Sequence, residues 1–235
     1  IFNNKAPGFS YSRISNPTVD AFERRMTALE GGIASVSCAS GMAAITNAFT
    51  NILRSGDEIV CSASLYGGSI DLFRDLENFG IKTHYVENNN IEQFEAATND
   101  NTRLYFAETI GNPRLDVTDI KLLSETAHKA GVPLIVDNTV ATAYLIKPIE
   151  YGADIVVNST SKYVNGNSNS ISGVITDSGN FKWDSVKYPG MKEYAKFGPY
   201  AYTAKLRNGI YRNTGACLSP QNAFYNILGI ETLGL

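Results

Sequence analysis

The sequence predicts an α/β fold with a mostly parallel sheet covered by helices on both faces, giving three layers. Short apolar segments alternate with longer amphipathic segments along most of the chain, which is typical of a doubly wound sheet. Several strand candidates are almost continuously apolar, including E-I-V-C, L-I-V-D and I-V-V-N. Such runs indicate strands buried on both faces, as in parallel sheets. Folds of this class bind ligands at the carboxyl ends of their strands.

The predicted elements follow one another regularly from the amino terminus. Residues 1–16 are polar and interrupted by glycine and proline, which indicates an extended arm. Pro17 begins a helix over residues 17–29, and the Gly31-Gly32 pair ends it. Strands are predicted at residues 34–38, 58–62, 82–86, 104–107, 134–137, 155–158 and 171–176. Further helices are predicted at residues 43–53, 69–79, 91–97, 120–130, 201–211 and 221–228. The aromatic and charged segment 180–197 is interpreted as a surface insertion, a candidate lid or interface.

The composition excludes several functional classes. The 235 residues include 20 Lys+Arg and 23 Asp+Glu, and no basic block marks a nucleic-acid-binding surface. No apolar run approaches the roughly 20 residues of a membrane span, and no signal-peptide pattern is present. The three cysteines, Cys38, Cys61 and Cys217, are far apart, as expected for free thiols in a reducing compartment and not for a zinc site. We therefore expect a cytoplasmic protein that binds neither nucleic acid, nor membrane, nor metal.

A single lysine follows the strand at residues 155–158. This lysine is Lys162, and the nearby Ser159 and Ser161 carry small hydroxyl groups. Burying an ammonium group is costly unless it is paired or loses its proton. A Schiff base to a carbonyl cofactor would remove the charge. The alternative is a lysine that extends to solvent from the strand end.

Two other strand ends carry candidate binding residues. Ser40, Gly41 and Met42 stand at a predicted helix start, where free N–H groups and the positive end of the helix dipole attract anions. The alternative is a serine that only caps the helix. No G-x-x-x-x-G-K-[ST] or G-x-G-x-x-G motif occurs, so neither a Walker loop nor a dinucleotide site is indicated. Tyr66, followed by two glycines, could lay its ring over a flat ligand or pack on its own turn.

Asn112 and Asp137 complete the candidate set. Asn112 precedes a proline, which favours an extended backbone and leaves its amide free for a ligand, although an ordinary turn is the alternative. Asp137 ends an apolar strand, where a carboxylate needs a cationic partner or several donors. A protonated pyridine nitrogen would be such a partner; a helix cap or a magnesium ligand are the alternatives. Pyridoxal 5′-phosphate is held by a set of groups that these residues together supply: an anion-binding helix start, a stacking ring, an amide, an acid and an amine.

These segments resemble the Cys/Met-metabolism pyridoxal-phosphate enzymes of the aspartate aminotransferase fold type. The matching motifs are YSRISNPT, SGMAA, LYGGS, ETIGNP, LIVDNT and NSTSKY, in the family's order. The later segment from FGPYAYTAKLRN to NILGIETL is most similar to the O-acetylhomoserine sulfhydrylase branch. The resemblance covers nearly the whole chain and implies the large domain of that fold.

The resemblance also implies roles for individual residues. Lys162 binds the cofactor aldehyde and moves protons, Asp137 pairs with the ring nitrogen, and Tyr66 stacks on the ring and assists proton transfer. Phosphate is bound by Ser40, Gly41, Met42, Ser159 and Ser161, and the ring oxygen by Asn112. Tyr11 and Arg13 reach the phosphate of a neighbouring subunit. An arm with these two residues and no local partner agrees with a site shared across a dimer, within a tetramer built as a dimer of dimers.

The activity implied is γ-replacement in methionine biosynthesis: O-acetylhomoserine and sulfide, or a thiol, give homocysteine, or methionine, and acetate. The alternatives are a cystathionine γ-synthase or a methionine γ-lyase activity. Gly68 stands where methionine γ-lyases typically carry cysteine, which favours replacement. A truncated, non-catalytic cofactor-binding module is the alternative of another class.

Two features depart from the family pattern. Asn167 stands where the family commonly has histidine after the lysine. The chain starts at Ile1 and stops at Leu235, so we expect an arm over residues 1–16 and a cofactor-binding large domain over residues 17–235, without the family's smaller C-terminal domain and its carboxylate-binding arginine.

Overall fold

Seven strands form one sheet in the computed structural model, which describes residues 8–235. Their order across the sheet is β1-β7-β6-β5-β4-β2-β3. The five strands from β6 to β3 in this order are parallel to their neighbours within that group. The strands are β1 (Ala34–Cys38), β2 (Glu58–Ser62), β3 (Lys82–Val86), β4 (Thr102–Glu108), β5 (Leu134–Asp137), β6 (Ile155–Asn158) and β7 (Gly173–Asp177). The predicted α/β class with a mostly parallel sheet is confirmed.

Helices cover the sheet and alternate with its central strands. They are α1 (Pro17–Glu30), α2 (Gly41–Thr50), α3 (Gly67–Glu77), α4 (Ile91–Ala97), α5 (Ile120–Lys129), α6 (Thr142–Leu145), α7 (Ala201–Asn208), α8 (Ile210–Thr214) and α9 (Pro220–Ile230), with 3-10 segments at Pro148–Tyr151 and Pro189–Tyr200. The first helix starts as its sequence predicts, because Asn16 accepts a hydrogen bond from the N–H of Thr18. It ends at Gly31, whose φ of 75° is left-handed.

Alternate strand residues pack on opposite faces of the sheet. Leu104 and Phe106 belong to a cluster with α2, α3 and α7, whereas Tyr105 and Ala107 belong to a cluster with α4 and α5. Side chains of a strand point alternately to its two faces, so one strand feeds two cores. A third cluster packs α1 and α9 against β7.

The structure corrects several predicted boundaries. The helix predicted at residues 43–53 begins at Gly41 and ends at Thr50, and the one predicted at 201–211 is divided at Gly209. The strand predicted at 171–176 spans Gly173–Asp177 and pairs antiparallel with both β1 and β6. The connection from β6 to β7 contains no helix, and antiparallel neighbours need no crossover helix.

Segment 180–197 is not a lid over the carboxyl ends of the parallel strands. Because β7 runs antiparallel, the chain leaves it at the opposite edge of the sheet. There the hydroxyl of Tyr188 donates to the carbonyl of Arg103 at 2.7 Å, at the start of β4. Trp183 stacks on Tyr202 with ring centroids 5.4 Å apart, and Tyr188 is only 2% exposed. The segment therefore closes the core at the edge remote from the candidate site.

Across the part of the chain that the structure describes, no helix has both the length and the apolar character to cross a bilayer.

Candidate active site

The candidate residues lie along one edge of the sheet. Lys162 follows β6, Asp137 ends β5, Asn112 follows β4 and Tyr66 follows β2. These four strands are consecutive neighbours and mutually parallel, so their carboxyl ends lie side by side. The topology thus brings together residues that are up to about a hundred positions apart in sequence, as doubly wound sheets do.

The amino end of α2 packs directly against the segment that carries Lys162. A Cβ atom placed on Gly41 would lie 2.5 Å from Cβ and 2.9 Å from Oγ of Ser159. Only glycine permits this approach. The first N–H groups of α2, at Gly41 and Met42, have no partner within the helix. The Oγ of Ser40 accepts from the N–H of Ala43 at 3.0 Å, so this serine does act as a helix cap.

The lysine that follows β6 is exposed, as in the alternative of a side chain that extends to solvent from the strand end. No side-chain hydrogen bond or salt bridge within residues 8–235 uses its Nζ, which leaves the amine available to a ligand. Its backbone is fixed, because the N–H of Lys162 donates to the carbonyl of Ser159 at 3.1 Å and its carbonyl accepts from the N–H of Gly166 at 2.8 Å.

The two serines beside the lysine differ in their availability. The Oγ of Ser161 donates to the carbonyl of Ser172 at 2.9 Å and accepts from its N–H at 2.8 Å, so this hydroxyl ties the lysine turn to the start of β7. No hydrogen bond of the described chain uses the Oγ of Ser159. Ser159 is therefore the better hydroxyl donor for an anion at the α2 terminus.

Asp137 presents one free carboxylate oxygen. Its Oδ1 accepts from the N–H of Thr139 at 2.9 Å and from its hydroxyl at 2.5 Å, whereas Oδ2 has no hydrogen-bond partner among the described residues. The same hydroxyl accepts from the N–H of Ser159 at 2.7 Å. Burial raises the pKa of Asp137, and the bonds from Thr139 oppose this rise. A cation at Oδ2 would stabilise the ionised form further.

Two residues that hold the site together, Thr139 and Glu108, were not predicted from the sequence. Thr139 joins Asp137 to Ser159, and its signal is an Asp followed two residues later by a hydroxyl, the pattern of an Asx turn. Glu108 accepts from the N–H of Tyr66 at 2.6 Å and from the N–H of Asn112 at 3.0 Å. No side-chain pattern reveals contacts to main-chain groups 42 positions away.

The tyrosine ring and the asparagine occupy the far end of the site. The ring of Tyr66 is half exposed and lies over Gly68, where a Cβ atom would be 2.5 Å from its Cε1. The ring thus has an open face for a flat ligand. Asn167 lies in the loop after the lysine, and its Nδ2 donates to the carbonyl of Asn165 at 3.2 Å.

Tyr11 and Arg13 do have partners in their own chain, contrary to expectation. The Nη1 of Arg13 donates to the carbonyl of Arg212 at 2.5 Å, and its guanidinium lies 5.2 Å from the ring centre of Tyr11. No hydrogen bond joins either side chain to Lys162 or Asp137 within the described chain. The portion of the arm at residues 1–7 lies outside the described residues.

The arrangement fits pyridoxal 5′-phosphate by the chemistry of its donors and acceptors. Within residues 8–235 it offers an amine and a carboxylate oxygen that have no partner, a hydroxyl without a hydrogen bond beside a helix amino end, and an aromatic face. Each has a counterpart in the aldehyde, ring nitrogen, phosphate and ring of that group.

Comparison with known proteins agrees with this chemistry. The profile described as "Cys/Met metabolism PLP-dependent enzyme" matches residues 1–235. The chain is 45% identical to an O-acetyl-L-homoserine sulfhydrylase of Corynebacterium glutamicum over 242 residues, covering 96% of this chain and 55% of that protein. It is 41% identical to the enzyme of the same name from Leptospira meyeri, covering 100% of this chain and 58% of that protein.

A solved structure gives the same result for the fold. It is that of a putative O-acetylhomoserine (thiol)-lyase of Campylobacter jejuni with N′-pyridoxyl-lysine-5′-monophosphate; the TM-score is 0.93 and the identity 33%, over 99% of this chain and 60% of that one. This chain thus spans well under two thirds of the length of the relatives it matches.

Proposed function

Because the chain belongs to the Cys/Met-metabolism pyridoxal-phosphate-dependent enzymes, we propose that its protein is an O-acetylhomoserine sulfhydrylase. The reaction replaces the acetate of O-acetylhomoserine with sulfide, or a thiol, and yields homocysteine, or methionine. The observation that carries the proposal is that Asp137, whose Oδ2 has no partner among residues 8–235, ends the strand adjacent to the one that Lys162 follows, and that the Lys162 amine has no side-chain partner in the same range. The relatives named O-acetylhomoserine sulfhydrylase support the substrate.

In the proposed site each part of the cofactor is bound by a different residue of this chain. Lys162 holds the aldehyde carbon, and Oδ2 of Asp137 accepts from the protonated ring nitrogen. The hydroxyl of Ser159 and the N–H groups of Gly41 and Met42 bind the phosphate, which is favoured at a helix amino end. Tyr66 covers the ring, and the amide of Asn112 binds the ring oxygen. Ser40 and Ser161 contribute mainly by holding the backbone, since their hydroxyls already bond within the chain.

The chemistry follows from which groups can move protons. When bound, the cofactor supplies an electron sink that makes the Cα proton of the amino acid removable. Lys162, displaced by the substrate amine, would take the proton from Cα, pass it to the bound cofactor and then take one from Cβ as acetate leaves Cγ. Tyr66 stands at the same edge of the sheet and assists this transfer. Sulfide then bonds to Cγ, and the same groups return the protons.

The assembly is part of the proposal. In this proposal Tyr11 and Arg13, which precede the first helix, bind the phosphate of a neighbouring subunit, and residues 17–235 form the cofactor-binding domain. The planar guanidinium of Arg13 suits a phosphate. It would exchange its carbonyl partner on Arg212 for that anion. Two such sites in each dimer, and two dimers in a tetramer, complete the enzyme.

The test uses the full-length protein with O-acetylhomoserine and sulfide. Homocysteine and acetate in equal amounts are expected; α-ketobutyrate and ammonia without homocysteine would replace the proposal with a lyase. Borohydride reduction should bleach the bound cofactor and add its mass at Lys162. Lys162→Ala should abolish both results, while Lys182→Ala, which changes an exposed lysine in the remote segment 180–197, should preserve them. Cofactor binding without turnover of any of these substrates would favour a non-catalytic module.

A further inference from the structure

Two loops of the candidate site touch each other directly. One follows β2 and includes Ser64 and Tyr66; the other follows β4 and includes Gly111 and Asn112. A Cβ atom placed on Gly111 would lie 2.3 Å from Oγ and 2.7 Å from the carbonyl oxygen of Ser64. The two loops are therefore in close contact at this point, with no room for a side chain between them.

A single carboxylate holds both loops. Oε1 of Glu108 accepts from the N–H of Tyr66 at 2.6 Å, and Oε2 accepts from the N–H of Asn112 at 3.0 Å. Glu108 is only 5% exposed, and no salt bridge within residues 8–235 uses it. Because the two N–H groups bond to different oxygens, an ionised carboxylate accepts from both, whereas an amide would place its NH2 group, which cannot accept, against one of them. Hydrogen bonds to an ionised acceptor are also shorter and stronger than neutral ones.

The charge of Glu108 is linked to that of Asp137. The two residues pair in register at the ends of β4 and β5. Burial and the nearby Asp137 carboxylate raise the pKa of Glu108 to about 7, while the bonds from Tyr66 and Asn112 lower it. These are the groups that act on Glu108 from the adjacent strand and from both loops. A cation at Asp137 would remove the repulsion and favour the ionised form of Glu108.

We propose that Glu108 is a positioning residue that couples cation pairing at Asp137 to the placement of Tyr66 and Asn112 around the cofactor. The inference rests on the proposed function for the identity of that cation, the protonated ring nitrogen. Glu108 would act through the main-chain N–H groups of Tyr66 and Asn112 and not through contact with the cofactor. In its ionised form Glu108 holds both loops, and a ring nitrogen paired with Asp137 would favour that form, so pairing of the ring would strengthen the hold on Tyr66 and Asn112.

The first experiment measures the affinity of full-length apoprotein for pyridoxal 5′-phosphate, and the visible circular dichroism of the bound cofactor. Glu108→Gln leaves one of the two N–H groups without an acceptor and should raise the Kd about tenfold or more, with a weaker dichroic band. Glu58→Gln is the matched control, because the Glu58 carboxylate also makes two hydrogen bonds, in its case with the side chains of Asn99 and His84, at the opposite end of β2. It should leave both readouts unchanged.

The pH profile separates positioning from simple structural support. Affinity of the wild type should rise more steeply than that of Glu108→Gln as the pH passes through about 7. Equal affinity, equal dichroism and equal pH profiles in the two proteins would overturn the role of Glu108. No cofactor binding by the wild type would instead overturn the proposed function.

A second experiment does not depend on the folding of Glu108→Gln. In the apoprotein, Asp137→Asn removes the neighbouring charge and should favour ionised Glu108. Hydrogen exchange at pH 6.5 should then show greater protection of the main-chain amides of Tyr66 and Asn112 than in the wild type. Unchanged or reduced protection at both amides would overturn the coupling without reference to any activity.

Discussion

The carboxylate of Glu30 accepts a hydrogen bond from Nδ2 of Asn158 at 2.8 Å, beneath the candidate site. Glu30 ends α1 and is fully buried, and Nδ2 of Asn138 also lies 3.3 Å from its Oε1. Asn138 and Asn158 each adjoin a residue of the site, Asp137 and Ser159. One buried acid thus braces the ends of β5 and β6.

The pH dependence of stability should report this buried acid. Burial raises the pKa of Glu30 from 4.5 to about 7, although the asparagine bonds lower it. Between these values the unfolded chain loses the proton that the folded chain keeps, so the contribution of Glu30 to the free energy of unfolding falls as the pH rises and is constant above about 7. The loss is on the order of 3 kcal/mol.

Glu30→Gln should remove that contribution and be more stable than the wild type at pH 8. The amide can still accept from Asn158 and can donate to Oδ1 of Asn158, which is buried without a partner in the described chain. Urea unfolding of the apoprotein at pH 5 and pH 8 measures the difference. The exposed Glu150→Gln is the control, and a pH dependence equal to that of the wild type would contradict the prediction.

The contact between α2 and the lysine turn predicts a strong effect at Gly41. In Gly41→Ala the new methyl group would lie 2.5 Å from Cβ of Ser159, so the helix must move away from the phosphate position. We expect cofactor affinity to fall about tenfold or more and stability to fall by about 1–3 kcal/mol. Gly67→Ala is the matched control, because its Cβ would meet nothing within 4 Å. Cofactor titration of both variants decides; similar affinities would contradict the close approach.

Mixing two inactive variants tests whether the arm serves a neighbouring subunit. Arg13→Ala and Lys162→Ala should each have little activity alone. If Arg13 binds the partner's cofactor, a mixed dimer has one site with both residues intact, and activity should return after the subunits exchange. Absence of recovery, with mixed dimers verified by mass, would show that each arm serves its own chain.

Segment 180–197 should affect stability without affecting the site. Trp183 stacks on Tyr202, so Trp183→Ala should destabilise the protein by about 3 kcal/mol. Because the segment lies at the amino ends of the parallel strands, the affinity for pyridoxal 5′-phosphate should not change. Chemical unfolding and cofactor titration test the two statements; a loss of affinity in a folded variant would contradict the remote location.

The residues show which features can be predicted from sequence. Apolar runs bounded by turn residues located β1, β2, β3, β5 and β6 at their observed limits. The alternation of strands and helices predicts a parallel sheet with its ligand site at the carboxyl ends of the strands. Sequence could therefore predict that the residues after those strands lie together, namely Lys162, Asp137, Asn112 and Tyr66. The roles of Glu108 and Thr139 could not be predicted, because these side chains bond to main-chain N–H groups of other segments, which no residue pattern reveals.

Packing explains the remaining differences. The partner of Ser161 depends on where β7 begins, and no residue pattern fixes that position. The direction of β7 also decides where segment 180–197 lies. The many charged residues of this segment predict that its aromatic side chains are exposed, yet Tyr188 is buried against the core.

The reversed direction of β7 has a practical consequence for spectroscopy. The sequence contains one tryptophan, Trp183, and it stands at the edge of the sheet away from Lys162. Its emission therefore follows the integrity of the core, whereas visible absorption of a bound cofactor follows the site. Trp183 and the candidate site lie near opposite ends of the parallel strands, so unfolding and cofactor release can be followed by two separate signals in one unlabelled sample.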